Sequence, residues 1–445
     1  MEFLKQINEQ VGSFLWGGFL LYFLLIVGLF LTIGTKALQI RRLPAMFKET
    51  LGTLFRKQER KDGVTPFQAM SAALGGTIGT GNITGVATAL TLGGAGAIFW
   101  MWVSAVFCMV IKFAEVTLAV HFREKNEQGE WSGGPMYYIK NGLGKRWLFL
   151  AVLFCFFGVA ASFGIGGAAQ VNSVSESAFH TFLLPKAVTG FVFMLLVGAV
   201  IFGGVKRLTV ITSKLVPFMA IFYVIGAFIV IFCNAPRIPS AFTTIFSDAF
   251  RFEAGAAGAA GFTISNAIRY GVSRGIFTNE AGMGSAPIIH ASAENTPVKQ
   301  GYWGAFEVFA DTIVVCTITA LVILSSSFYG TAEKTGPALV QGAFREVFGS
   351  YGSWFLTVSL ALFAFASIIG WSYYGTKCCE FLFKRKAAVL LYKAVFCVML
   401  FISANTGLEL IWGISDTLNG FMALPNLCAV ILLSPVLYRL VKEEG

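Results

Sequence analysis

Residues Phe14 to Ile33 run for 20 positions without a single charged side chain. As a helix, about 20 apolar residues span the roughly 30 Å hydrocarbon core of a bilayer. In that solvent every backbone N–H and C=O must find its partner within the segment, so the run predicts a membrane-spanning helix. It follows Glu2, Lys5 and Glu9, is too long for a signal-peptide core and has no small-residue cleavage site, which predicts that it is retained. Ten further runs lie near 68–92, 97–120, 147–177, 187–204, 210–233, 254–272, 301–327, 353–376, 387–404 and 411–438. The expected fold class is therefore all-α integral membrane with about eleven transmembrane helices.

Composition agrees and narrows the function. Charged residues make up 13% of the 445, hydrophobic ones 56%, and the mean hydropathy is +0.73. A soluble chain carries about 25% charged residues. With 45 Phe and 49 Gly, this one cannot cover a water-facing surface. The net charge of +10 does not gather with aromatics on one face, as a nucleic-acid surface requires, so no nucleic-acid partner is expected. Eight Cys and three His without CxxC or HExxH spacing argue against a disulfide or metal frame. The vicinal Cys378 and Cys379 read as small apolar fillers.

The basic residues are a topology signal. With the amino terminus outside, 26 of the 33 Lys and Arg fall in predicted cytoplasmic segments and 6 on the other face, with Lys112 inside a run. The positive-inside rule then places the carboxyl terminus in the cytoplasm, in a cell (inner) membrane. The basic segment 35–66 could also lie along anionic lipid as an amphipathic stretch.

The second run is an unusual helix. It reads Gly75-Gly76-Thr77-Ile78-Gly79-Thr80-Gly81-Asn82-Ile83-Thr84-Gly85, five glycines in eleven residues. Each Gly costs a helix about 1 kcal/mol relative to Ala. Gly75-x-x-x-Gly79 and Gly81-x-x-x-Gly85 would also serve close helix packing. The alternative is a broken helix whose freed peptide groups line a polar cavity at mid-bilayer, and Asn82 with the threonines favours it. A nucleotide loop is excluded, because the spacing is not GxGxxG and no strand precedes it. A second weak spot, Ala254 to Gly261 followed by Thr263, Ser265 and Asn266, opens the seventh run. Setting the first run aside, the two weak spots begin two halves of a ten-helix core, the pattern of inverted-repeat transporters.

Few other polar residues lie inside the runs. Gln170 either lines a pocket or bonds a neighbouring helix. Ser367 and Trp371 share a helix face at i,i+4, with Ser372 beside them. Lys112 and Glu115, at i,i+3, are expected to pair within their helix. Glu307 and Asp311 share one face and are candidates for an ion or gating path.

These residues resemble a known family. Gly75 to Ile83, the stretch Gly93-Gly94-Ala95-Gly96-Ala97-Ile98-Phe99-Trp100-Met101-Trp102, Gly133-Gly134-Pro135-Met136-Tyr137-Tyr138 and Gly275 to Pro287 are similar to the alanine or glycine:cation symporters. These are the sodium:alanine symporters of the amino acid-polyamine-cation superfamily. The likeness covers nearly the whole chain, with Cys108 standing where the family's Phe-Trp-Met-Trp stretch ends in Gly. It implies the leucine-transporter-type fold: an extra amino-terminal helix before a 5+5 inverted-repeat core with broken helices. The boundaries implied are 1–66 for that helix and its basic linker, 67–233 for the first repeat and 234–445 for the second.

The first core helix of that fold carries G-N-A-V-G-L-G-N, which aligns without a gap on Gly75 to Asn82. The resemblance thus implies sodium ligands at Gly75, Ile78 and Ser367, and at Asn82 for a second site whose other ligands are not matched. It implies substrate contacts at Thr77, Thr80 and Gly81, and Gln170 and Trp371 are expected to close round the substrate from the neighbouring runs. The function implied is symport of sodium with a small neutral amino acid, alanine or glycine, by alternating access. No cofactor is implied beyond the sodium ion as coupling ion. The alternative is a sodium- or proton-coupled carrier of a larger amino acid such as glutamine. A membrane enzyme would need clustered catalytic groups inside the runs and a channel a pore ring, and neither pattern is present.

Overall fold

The computed structural model describes residues 2–54, 63–126, 129–251, 264–330, 336–406 and 409–444. Among these, seven helices are long and apolar enough to cross a bilayer: Gln10–Gly34, Gly96–His121, Lys145–Phe182, Gly204–Cys233, Pro297–Leu324, Tyr351–Phe383 and Lys386–Asn405. An eighth candidate, Asp416–Leu432 with Ser434–Glu444, bends by 59° at its break. The three remaining runs take other forms. Lys186–Ile201 is a shorter helix, the second run is interrupted inside the fold, and the seventh leads to an interruption beyond it.

The order of forms recurs. After the amino-terminal helix comes an interrupted helix, then helices of 26, 38, 16 and 30 residues. After the second interrupted helix come helices of 28, 33, 20 and 24 residues. In both sets the third helix of the five is the longest and the fourth the shortest.

Burial separates core from rim. In Gly96–His121, 83% of the most apolar stretch is buried, against 33% in Lys386–Asn405. Gly96–His121 packs against the Ile264–Asn279, Pro297–Val308 and Leu20–Gly34 helices. Peripheral helices turn Phe191, Leu195, Phe218, Ile221 and Ile225 outward. Lipid tails are as apolar as these side chains, so their exposure costs nothing in a bilayer.

Local signals set the interrupted helices in place. Pro66 opens the Pro66–Thr77 helix at its first turn, where a missing N–H is harmless. The Thr65 hydroxyl accepts from the Gln68 amide while the Gln68 side chain accepts from the Thr65 amide, a reciprocal cap. One residue earlier the Val64 carbonyl accepts from Glu294 N at 2.9 Å, joining the start of the first interrupted helix to the segment after the second. Arg123 fixes that segment by donating to the Ala291 and Ala293 carbonyls at 2.9 and 2.5 Å.

Close approach explains one glycine. A Cβ on Gly370 would lie 2.9 Å from the Gly76 Cα, backbone against backbone. Gly370→Ala is expected to cost about 1–3 kcal/mol by forcing the Tyr351–Phe383 helix off the broken segment. Thermal unfolding of the purified protein in detergent checks this, with an unchanged transition contradicting it.

One sequence expectation falls outside the described residues and another changes. The Gly/Ala stretch 254–261 lies outside the described residues. An interruption lies beyond that run, at 280–285, so the helix passes 272 and ends at Asn279. Arg269 and Arg274 consequently sit beside Asn8, Gly12 and Gly17 of the amino-terminal helix, around a cavity of about 270 Å³. They share the amino-terminal side, so the basic asymmetry becomes 24 against 8. Its sense is unchanged.

Candidate functional site

The chain comes apart in the second run. Pro66–Thr77 ends there, Ile78 is extended at φ −73° and ψ 91°, and helix resumes at Gly81 as a wide π-type turn leading into Val86–Gly93. The Gly79 amide turns to the Asn82 side-chain oxygen at 3.1 Å. The Thr80 amide and hydroxyl both donate to Gln170 Oε1, at 3.3 and 3.1 Å. Ser367 Oγ donates to the Gly76 carbonyl at 3.0 Å. Glycines are the local cause, since they stabilise helix poorly and leave room for the polar partners.

The second interruption is built differently. Between Asn279 and Ala286, Glu280 has φ +53°, Gly282 +84° and Gly284 +76°, a left-handed course that suits the two glycines and strains Glu280. Carboxylates hold it. Glu280 accepts from Ser285 Oγ at 2.5 Å and from Trp371 Nε1 at 2.8 Å. Glu115, from the neighbouring helix, accepts from Gly284 N at 3.1 Å and from Asn426. Asn426 also donates to the Gly282 carbonyl at 2.8 Å and meets the Tyr138 hydroxyl. Every group here is fully or nearly fully buried.

A third element ties the two breaks together. Phe309–Cys316 is a wide π-type turn, a form frequent at functional sites. From it Asp311 Oδ1 accepts from Asn82 Nδ2 at 2.6 Å, and Asp311 Oδ2 accepts from the Thr312 hydroxyl at 2.9 Å. The Thr312 hydroxyl in turn accepts from Asn279 Nδ2 at 3.0 Å. One amide side chain, Asn82, therefore links the open backbone at Gly79 to a buried carboxylate.

Most of the residues singled out in the sequence converge here. Gln170, Thr80, Asn82 and Ser367 meet directly around the break. Gly75 packs between Val216 and Ala366, and Gly81 faces Phe277 and Thr278 of the second interrupted helix. The Thr77 hydroxyl folds back on its own helix, toward the Leu74 carbonyl at 3.2 Å. Trp371 points to Glu280 and lies against Gly166. Lys112 does not pair with Glu115: its ammonium lies 3.5 Å from Glu307, whose other oxygen meets His290 Nε2 at 3.0 Å. Helix spacing permitted the i,i+3 pair, but each side chain found a partner on another helix.

Sequence reasoning missed Tyr374 and Glu280. The Tyr374 hydroxyl is buried against Gly76 with no hydrogen-bond partner among the described residues. Its signal was the i,i+4,i+7 face of Ser367, Trp371 and Tyr374. Glu280 was visible as a lone carboxylate within an otherwise apolar motif.

Two interrupted helices side by side in a membrane, with polar side chains turned onto the gap, define a secondary transporter with a broken-helix core. The profile of the sodium:alanine symporter family matches residues 1–443. The sodium/alanine symporter AgcS of Methanococcus maripaludis is 44% identical over 443 residues, covering 98% of this chain and 96% of AgcS. GlnT of Bacillus subtilis, named as a probable sodium/glutamine symporter, is 38% identical, with 99% and 91% covered. The crystal structure of MhsT in complex with L-phenylalanine superposes with a TM-score of 0.61 at 15% identity, covering 84% of this chain and 90% of that one. A Na⁺-coupled sialic acid symporter gives 0.56 at 11% identity, covering 94% and 98%. The chain belongs to the sodium:alanine symporter family. Its fold is of the leucine-transporter type, and it is a transporter, not an enzyme.

Proposed function

We propose that this symporter couples sodium entry to uptake of a small neutral amino acid, alanine or glycine, at the gap between residues 75 and 82. The observation that carries the reading is the single Asn82 side chain, which joins the opened backbone at Gly79 to the buried Asp311 carboxylate. Backbone carbonyls and a carboxylate are hard oxygen ligands that can replace the water shell of Na⁺. The carbonyls of Gly75 and Ile78 with the Ser367 hydroxyl would hold one sodium. Asn82 with Asp311 would hold a second.

The substrate carboxylate would lie at Thr80 and Gly81, where helix restarts and the first amides carry a partial positive charge. Gln170 now occupies the Thr80 amide and would swing to the substrate as it arrives. Thr77 and Trp371 would bound the side-chain end of the pocket, with Trp371 held by Glu280 so that only a small residue fits. Cation and amino acid then share one broken segment, which is a physical basis for coupling them.

The magnitudes suffice. One Na⁺ moving down about 100 mV releases roughly 2.3 kcal/mol, and a tenfold sodium gradient adds about 1.4 kcal/mol. Together they sustain an amino-acid gradient of several hundredfold.

The recurring order of helix forms supports two five-helix repeats, 67–233 and 234–445, after an amino-terminal unit 1–66. The basic asymmetry supports an external amino terminus and a cytoplasmic carboxyl terminus in the cell membrane.

Replacing Na⁺ by choline is expected to abolish accumulation of radiolabelled alanine in proteoliposomes, and full accumulation without Na⁺ would overturn the reading. Excess glycine should compete in that assay and excess glutamine should not; the reverse order would assign the pocket to a larger amino acid. Thr80→Ala removes the hydroxyl contact to Gln170, and uptake at limiting alanine should fall about three- to tenfold.

A further inference from the structure

A sizeable cavity lies away from the gap just described. It holds about 970 Å³ and opens where Lys145–Phe182 and Lys386–Asn405 begin and Tyr351–Phe383 ends, beside the 124–132 hairpin. Neither interrupted helix contributes to its wall. The substrate route must pass the interrupted helices, so this crevice is a separate feature.

Its lining has two characters. Leu148, Val152, Ile201, Val205 and Leu208 form an apolar wall. Leu148 and Val152 are 39% and 44% exposed on a helix that crosses the bilayer, so that wall is open to lipid. The rim is basic, with eight Lys or Arg against three Glu. Two of the cations are neutralised locally, Lys140 by Glu124 and Lys377 by Glu380, each at 2.9 Å. Lys145, Lys384, Arg385 and Lys386 are exposed and face the crevice.

We propose that this crevice binds one anionic phospholipid of the cytoplasmic leaflet. Its phosphate would rest among Lys145 and Lys384 to Lys386, and an acyl chain would lie over Leu148 and Val152. A soluble anion would satisfy the rim alone and leave the apolar wall bare. A neutral lipid would cover the wall and leave the cations unmatched. Only a lipid with an anionic headgroup answers both, and basic pockets between helix ends on the inner side of a membrane are where such headgroups are held. The assignment stands independently of which amino acid the protein carries.

The full-length protein in nanodiscs of equal phosphatidylglycerol and phosphatidylcholine tests this, by counting the lipid that survives transfer to detergent. Wild type should retain phosphatidylglycerol over phosphatidylcholine by about fivefold or more. K145Q/K384Q/R385Q/K386Q should bring that ratio to near one. K206Q/R207Q removes two exposed charges from the same face outside the crevice and should keep the enrichment. No enrichment in wild type, or equal loss in both variants, overturns the site. Displacement of the retained lipid by millimolar inorganic phosphate would overturn the lipid assignment in favour of a free anion. The wild-type ratio and the phosphate arm need no variant, so misfolding of the quadruple variant leaves the proposal testable.

Discussion

Asp311→Asn is expected to abolish sodium-driven accumulation of alanine while the protein still inserts and elutes as a folded species. The substitution keeps the size of the side chain and an oxygen for Asn82, turns an amide NH2 toward Thr312 and removes the charge facing the break. Losing a partner one shell away from a metal typically costs 10- to 100-fold in affinity. A direct carboxylate ligand should cost at least ~100-fold in the sodium concentration that half-saturates uptake. Uptake measured against sodium at fixed alanine would show this as a rightward shift. A variant with the wild-type sodium curve would remove Asp311 and Asn82 from the cation path and leave only the site at Gly75, Ile78 and Ser367.

Lys112→Met should be the most damaging single substitution for folding. Lys112 and Glu307 are both 0% exposed, and the ammonium lies 3.5 Å from the carboxylate. Removing one member of a buried ion pair leaves the other charge uncompensated, at a cost of about 3–5 kcal/mol. His290 and its partner Gln300, 2.8 Å apart, would lose their orientation with Glu307. Little folded protein should be recovered from membranes. The double variant Lys112→Met/Glu307→Gln removes both charges and should restore most of the yield. Poor recovery of the double variant together with normal recovery of the single one would show that the pair contributes no stability.

The fold was legible because the bilayer leaves a chain few choices. Runs such as Phe14 to Ile33 can only be helices there. The first break was legible too, since Gly75, Gly76, Gly79 and Gly81 with Asn82 make a poor helix in plain view. The stretch expected to hold the second, 254–261, lies outside the described residues, and the interruption at 280–285 carried no comparable glycine signal. That interruption rests on Glu280 and two left-handed glycines, stapled from outside by Glu115 and Asn426. Those staples are long-range, and a single sequence does not display them. The same limit hid the true partners of Lys112 and Glu115. Spacing along one helix says which groups could meet, whereas packing between helices decides which do. Asp311 illustrates the middle case: its place inside an apolar run, on one face with Glu307, marked it, but only the fold brings it to Asn82, 229 residues away in the chain.

Binding of radiolabelled alanine to the purified protein, measured with sodium and with choline as the only cation, tests most directly whether one opened segment holds both solutes. Tighter alanine binding in sodium by ~10-fold or more, with alanine tightening sodium by the same factor, is the result predicted by linkage at a shared site. Equal alanine affinity in sodium and in choline would contradict it.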